Sequence, residues 1–269
     1  MSTTYRTFFG MKEEAFAADL STKEIFETDD IRSVQKRFHY AVRLGTVALV
    51  TGEIGSGKST ALRYVAAKLH PSEYRPIHIT ACSGSILEFY RMFLAEMNID
   101  KSSTSRVVMI RLIKKEVQEL VLGKKLKVVL ILDEASLMRL EVFAELHTIT
   151  QFEQDSKPWL PIILAGKTNL IDLLTYQTST PLASRIVARS HLEPANRKYM
   201  GEYLNHHLSI TGVKNSLFDD AAITAVHQGS GGLFRKANNL ARGALIAAAN
   251  EQSMAVTADH VRLAATEVF

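Results

Sequence analysis

Apolar residues along this chain follow two patterns, and the change between them falls near residue 195. Before that point, short apolar runs of strand length alternate with segments of helical period. "VALVT" (a strand over about residues 46–51), "RPIHITA", "KVVLILDEA" and "LPIILAG" read as strands. In "KVVLILD" consecutive positions are apolar, as expected for a central strand covered on both faces of a parallel sheet. Between the strands lie predicted helices: "DDIRSVQKRFHYAVRLG" from near Asp30, residues 58–69 ending before Pro71, a segment of about 105–122 ending at Gly123, and "LEVFAELHTITQFEQ". "SGSILEFYRMFLAEMNI" adds a serine cap with Ile86, Phe89, Met92 and Phe93 at helical spacing. Strands alternating with helices imply crossover units and a sheet sandwiched between helical layers. Beyond Pro194 strand signals stop, and "NRKYMGEYLNHHLSITG", "SLFDDAAITAVHQGSGG", "GLFRKANNLARGALIAAANEQ" and "TADHVRLAATEVF" read as four helices. The expected division is a segment 1–45, an α/β domain 46–194 and a small all-helical domain 195–269.

The junction of the first strand with its helix carries the most specific chemistry. "TGEIGSGKST" fits G-x-x-x-x-G-K-[ST] through Gly52, Gly57, Lys58 and Ser59. A triphosphate needs many donors in a small concave space. Glycines allow backbone amides to approach its oxygens, and the following helix points its positive end at the same place. Gly52, Glu53, Ile54, Gly55, Ser56, Gly57, Lys58, Ser59 and Thr60 are therefore the expected phosphate cradle, with Lys58 on the terminal phosphates and the Ser59 hydroxyl on Mg2+. ATP and Mg2+ are the implied cofactors.

Hydrolysis needs a positioned water and a metal shell as well. "VVLILDE" ends in Asp133, expected to hold Mg2+, and Glu134, expected to polarise the attacking water. "PIILAGKTN" ends in Thr168 and Asn169; Asn169 is the expected water-orienting residue. "PLASRIVARSHL" offers Arg185 and Arg189, and Arg185 is the expected arginine that stabilises phosphoryl charge in a neighbouring subunit. Arg235, just after a flexible Gly-Gly, is expected to touch the γ-phosphate and couple the helical domain to nucleotide state.

Composition narrows the remaining choices. The formal charge of +4 and pI near 9.1 permit a polyanionic partner. Lys114, Lys115, Lys124, Lys125 and Lys127 cluster, with Glu116 and Glu119 interleaved. One cysteine, Cys82, excludes an internal disulfide framework and, following "IHITA", reads as a buried structural thiol. No apolar run is long enough to cross a bilayer and no signal peptide is visible, so a cytoplasmic location without membrane insertion is expected. Histidines 147, 191, 206, 207 and 227 lack the spacing of a metal site. Phe8, Phe9 and Phe26 suit either an adenine wall or a core, and Trp159 is expected to anchor the approach to the last predicted strand.

With these residues in place the chain resembles the AAA+ ATPases of the ExeA/GspA type. The resemblance rests on "YRTFFGMKEEAF", "LVTGEIGSGKST", "LILDEA", "SRIVARSHLEP" and "GGLFRKANNLARGALIAAA". It departs at Ala15, where the family has proline, at Ser136, where it has glutamine, and at "GKTN", where it has a Gln-Pro-Glu turn. The resemblance implies a P-loop NTPase (AAA+) sandwich with a helical lid, an N-terminal segment packing on the nucleotide site, and ATP hydrolysis coupled to assembly of a homo-oligomeric ring or filament. Secretion-pathway members continue into a transmembrane helix and a peptidoglycan-binding module. This sequence stops at Phe269, and the expectation drawn from that is a stand-alone form similar to MuB/TnsC-like ATPases, with double-stranded DNA and a transposase as partners. The alternative expectation is an ATP-driven assembly factor of a secretion or envelope system acting through a membrane-bound partner. A third is a nucleotide switch with negligible turnover, against which Glu134 argues.

Overall fold

The computed structural model describes residues 4–100 and 103–267. These form two compact units: one comprises Thr28–Gly52 and Lys58–Leu192; the other comprises the residues up to Glu27, the loop Glu53–Gly57, and the chain from Glu193 onward. The segment 1–45 thus divides at Thr28.

The first unit is built on a five-stranded parallel sheet of β1 (Val47–Gly52), β2 (Tyr74–Thr80), β3 (Lys127–Asp133), β4 (Ile162–Gly166) and β5 (Ile186–Leu192), in the order β2-β3-β4-β1-β5. The three inner strands, β3, β4 and β1, are the ones whose sequences are apolar at successive positions, because both their faces are covered. β5 is an edge strand with alternating burial, which is why its sequence "IVARSHL" lacks a continuous apolar run. It was not among the expected strands; its period-two pattern of Ile186, Ala188, Ser190 and Leu192 is the signal it carried.

Helices α2 (Asp29–Leu44), α3 (Lys58–Ala67), α4 (Ile86–Glu96), α5 (Arg106–Gln118) and α6 (Leu140–Ile149), with the short α7 (Leu170–Thr175) and α8 (Thr180–Ala183), accompany the sheet. Thr28 caps α2 by accepting from the Ile31 amide, and Ser85 with Glu88 forms a capping box on α4. α6 stops at Ile149, short of the expected "QFEQ": Phe152 leaves it to form a backbone bridge with Lys157, and Glu153, Gln154 and Asp155, all at positive φ, make a turn that no right-handed helix can run through. Phe89, Tyr90, Phe93, Met109, Ile113, Phe143 and Leu146 fill the core between these helices and β2–β3. Within it, the buried carboxylate of Glu145 is held by the Tyr90 hydroxyl and the Arg106 guanidinium.

The second unit contains α1 (Tyr5–Phe8), α9 (Arg197–Ile210), α10 (Asp220–Ser230), α11 (Phe234–Asn250) and α12 (Ala258–Ala265). Asn196 and Asp219 cap α9 and α10 through the amides of Tyr199 and Ala222. The core gathers Phe9, Phe16, Met200, Leu204, Phe218, Val226 and Leu245. Phe16 stacks on His207 at 5.3 Å and meets Phe218 edge-on at 6.2 Å. Phe16 itself has φ 58, held there by Arg242, which donates to the carbonyls of Ala15 (3.3 Å) and Phe16 (2.6 Å). Ala15 is fully buried. Of the two roles open to Phe8, Phe9 and Phe26, these contacts are core packing: Phe8 meets Phe9 edge-on, and Phe26 packs on Tyr203 and His206. Among the described residues no helix is long and apolar enough to cross a membrane.

Candidate nucleotide site

β1 delivers the chain to Gly52, and α3 resumes at Lys58. The Lys58 side chain is buried, at 5% exposure, and its Nζ donates to the Gly52 carbonyl at 3.0 Å. Desolvating an ammonium is costly unless partners surround it, so this lysine suits a site that receives an anion. Ser59, exposed, and Thr60, half-buried, lie on the first turn of α3.

The loop Glu53–Gly57 belongs to the helical unit. Gly55 and Gly57 have φ of +84° and +97°, conformations that side-chain-bearing residues avoid. The Arg235 amide donates to the Gly55 carbonyl at 3.3 Å, and a Cβ on Gly55 would lie 2.9 Å from the Arg235 Cβ. Phe234 lies against Gly57. Thus Arg235 meets the cradle through its backbone. The Gly-Gly before it is not a free hinge: Gly232 is buried, its carbonyl accepts from Ala195 at 2.9 Å, and a Cβ there would collide with the Ala195 oxygen at 2.5 Å. The Ser56 hydroxyl is buried and has no hydrogen-bond partner among the described residues.

Sheet order sets the rest. β4 lies between β1 and β3, with Thr51 beside Gly166 and Leu132 beside Leu164. The C-terminal ends of these neighbouring strands therefore carry Gly52, Lys167–Asn169 and Asp133–Glu134 side by side. Asp133 is 4% exposed, and its Oδ1 accepts from the Glu134 amide at 2.8 Å. That bond supports Glu134 in a left-handed conformation, φ 54 and ψ 30, which costs a non-glycine residue about 1–2 kcal/mol. Strain of this kind concentrates at working positions, and Glu134 is half-buried at the end of β3. Thr168 and Asn169 are both exposed at the end of β4. Ser136 accepts from the Lys167 amide at 3.3 Å, tying the two strand ends together.

The two candidate arginines lie elsewhere. Arg185 immediately precedes β5, and the register Val47 with Ile186 and Gly52 with Leu192 puts it at the opposite end of the sheet from the cradle. At about 3.3 Å per residue the length of β1 separates them by roughly 17 Å. Its guanidinium is held by Asp155. Arg189 is exposed in mid-β5 beside Leu49. Two neighbours carried no sequence signal: His191, whose Nδ1 lies 2.9 Å from the Thr51 hydroxyl just before the cradle, and Asp155.

Other expectations change. Cys82 is exposed, because β2 ends at Thr80 and the cysteine falls in the loop beyond. Lys114 leaves the basic cluster: half-buried, it donates to the Gln151 carbonyl at 2.8 Å and approaches the Phe152 ring, and burial lowers its pKa. Lys124, Lys125 and Lys127 are exposed. Trp159 packs on Phe152 at 5.4 Å, ahead of β4.

ATP and Mg2+ fit these residues. Buried Lys58, the unpaired buried hydroxyl of Ser56 and the positive-φ glycines suit a phosphate chain, and the buried carboxylate of Asp133 and the Ser59 hydroxyl are hard oxygen donors of the kind Mg2+ takes.

Comparison with known proteins agrees. Residues 42–174 match the AAA domain family. The chain is 28% identical over 267 residues to general secretion pathway protein A of Aeromonas hydrophila, covering 98% of this chain and 48% of that protein. It therefore spans about half the length of the curated relative it matches. In fold it is similar to Cdc6p of Pyrobaculum aerophilum (TM-score 0.75, 14% identity, 94% of this chain and 70% of that one). It is also similar to the ORC1 protein of Aeropyrum pernix solved in complex with DNA (0.70, 14%, 94% and 68%) and to the RuvB Holliday junction branch migration motor of Thermotoga maritima (0.56, 16%, 97% and 73%). With a phosphate cradle on β1, an Asp-Glu pair on β3 and β4 between them, the chain has a P-loop α/β fold; residues 42–174 match the AAA domain family, and the chain is similar to the ExeA/GspA type.

Proposed function

We propose that this ATPase uses hydrolysis to control its own assembly, with each site completed by Arg185 of a neighbouring copy. The observation that carries this reading is the position of Arg185, at the far end of the sheet from its own cradle. A guanidinium there is out of reach of its own phosphates and supports a role in trans.

Residue roles follow. Lys58 and the amides of Glu53–Ser59 bind the phosphates, the Ser59 hydroxyl and Asp133 hold Mg2+, and Arg235 senses the γ-phosphate. Held there, Mg2+ would supply positive charge against the charge that develops on the transferred phosphoryl group. Glu134 orients the attacking water and accepts its proton, with Asn169 or Thr168 fixing that water from β4. The residues before Glu27 serve as the N-terminal segment at the nucleotide site.

The partner follows from the relative whose likeness spans the chain: general secretion pathway protein A supports a protein partner in a secretion or envelope assembly. A second reading, a cytoplasmic DNA-bound helper of a transposase, is supported by the DNA-associated AAA folds and by exposed Lys124, Lys125 and Lys127.

The test is electron microscopy of the chain with a non-hydrolysable ATP analogue, with and without duplex DNA. Nucleotide-dependent rings or filaments are expected, and a monomer under all conditions contradicts the proposal. Assembly that needs DNA and weakens steeply with salt selects the second reading; DNA-independent assembly selects the first.

A further inference from the structure

The turn that follows α6 is an unusual place to find the partner of a catalytic arginine. Glu153, Gln154 and Asp155 occupy the left-handed region in succession, with φ of 44°, 59° and 69°, and none is glycine. Such a run persists only where its surroundings over-determine it. Here a backbone bridge joins Phe152 to Lys157, the Glu153 carbonyl accepts from both the Ser156 amide (3.2 Å) and hydroxyl (2.8 Å), and buried Phe152 packs on Trp159. The turn presents one carboxylate, that of Asp155, to one guanidinium 30 residues later.

The manner of the grip is informative. Both contacts, 2.7 Å to Oδ1 and 2.6 Å to Oδ2, come from the same Arg185 terminal nitrogen. Arg–carboxylate pairs are frequently two-nitrogen forks, and this one is not. Of the five N–H donors of a guanidinium, this arrangement uses those of Nη2 and leaves Nε and Nη1 outside the pair. The backbone on either side is fixed as well: the Arg185 carbonyl accepts from the Val47 amide at 3.1 Å, and its amide donates to the Leu182 carbonyl at 3.0 Å.

We propose that Asp155 is a positioning residue for Arg185: it pins one terminal nitrogen, fixes the plane of the guanidinium, and leaves the remaining donors for the phosphate of a nucleotide bound by a second copy of this chain. This rests on the reading of Arg185 as the arginine that acts in trans.

The test uses the full chain with Arg185→Ala, Glu134→Gln and Asp155→Asn variants. Arg185→Ala is expected to lower kcat about 10³-fold, as loss of such an arginine does elsewhere. Asp155→Asn should lower kcat about tenfold with nucleotide affinity unchanged, a loss smaller than removal of the guanidinium it orients. Mixed with Glu134→Gln, whose Arg185 remains held, Asp155→Asn regains turnover; mixed with Arg185→Ala it regains none. In nucleotide-free protein, the Arg185 Nη resonances show hindered rotation that Asp155→Asn abolishes.

The outcomes separate the two ideas. Wild-type turnover by Arg185→Ala removes the trans-arginine reading and this proposal with it. A defective Arg185→Ala beside a wild-type or faster Asp155→Asn overturns the positioning role alone. So does an Asp155→Asn defect that Glu134→Gln does not rescue, since that defect lies in the variant's own site. Should Asp155→Asn melt below assay temperature, Asp155→Glu takes its place in the mixing experiment: rescue by Glu134→Gln supports the positioning role, and failure of rescue overturns it.

Discussion

The sheet unit and the helical unit bury polar groups in opposite ways. The sheet unit buries charge: Lys58 on the Gly52 carbonyl, Asp133 on the Glu134 amide, and Glu145 between Tyr90 and Arg106. The helical unit buries imidazoles: His207 among Phe16, Tyr203 and His206, and His260 capping α12 from the Thr257 amide. Charges held at strand ends by short, fixed partners are available for chemistry with phosphate and metal. A neutral ring stacked in an aromatic core serves packing alone. The division predicts that substitutions of the charges at the strand ends strike binding and turnover, that substitution of the charge buried between helices strikes stability alone, and that acid strikes the helical unit's stability.

The largest effect is expected at Lys58. Lys58→Ala removes the one ammonium of the cradle, and binding of a fluorescent ATP analogue should fall by at least about 100-fold, roughly the 2–3 kcal/mol or more of a charge-assisted contact. Unchanged affinity would mean that the buried charge of the sheet unit is structural.

Glu145 sharpens the same contrast, since it is buried charge without a catalytic role. Glu145→Ala leaves the Tyr90 hydroxyl without its partner and should cost about 2–3 kcal/mol, read as a lowered denaturation midpoint, while ATP affinity of the folded protein is retained. Loss of affinity in a fully folded Glu145→Ala protein would break the separation drawn between the two kinds of buried charge.

The effect expected in the helical unit is confined to acid. Burial, aided by the neighbouring His206, depresses the His207 pKa to about 4 from its ordinary 6.5. Between those values the unfolded chain binds a proton that the folded chain refuses, so stability is full above pH 6.5 and falls as the pH drops toward 4, by up to about 3 kcal/mol. Thermal melts across that window should show the decline, and His207→Phe should flatten it. An identical decline in the variant would assign the acid sensitivity to other groups.

How far the sequence foretold this depended on the range of each interaction. The cradle, the Asp-Glu pair and the inner strands are local, and glycine spacing and unbroken apolar runs announce them. β5 was missed because an edge strand needs only one apolar face, and Arg189 and His191 interrupt the run. The left-handed turn at 153–155 carries no glycine, so α6 read too long, and the grip of Asp155 on Arg185 spans residues with no pattern linking them. Cys82 was placed inside because the strand before it read too far. The Gly-Gly before Arg235 read as freedom, whereas contact with Ala195 makes it a fixed bend.

The most direct test of the catalytic mechanism is a paired measurement on Glu134→Gln: equilibrium binding of Mg-ATP and single-turnover release of phosphate. Wild-type affinity is predicted, because the cradle is intact, with phosphate release slowed at least about 100-fold, the scale of a general base. Phosphate release at the wild-type rate would show that the strained carboxylate at the end of β3 does not activate water, and would contradict the mechanism built on it.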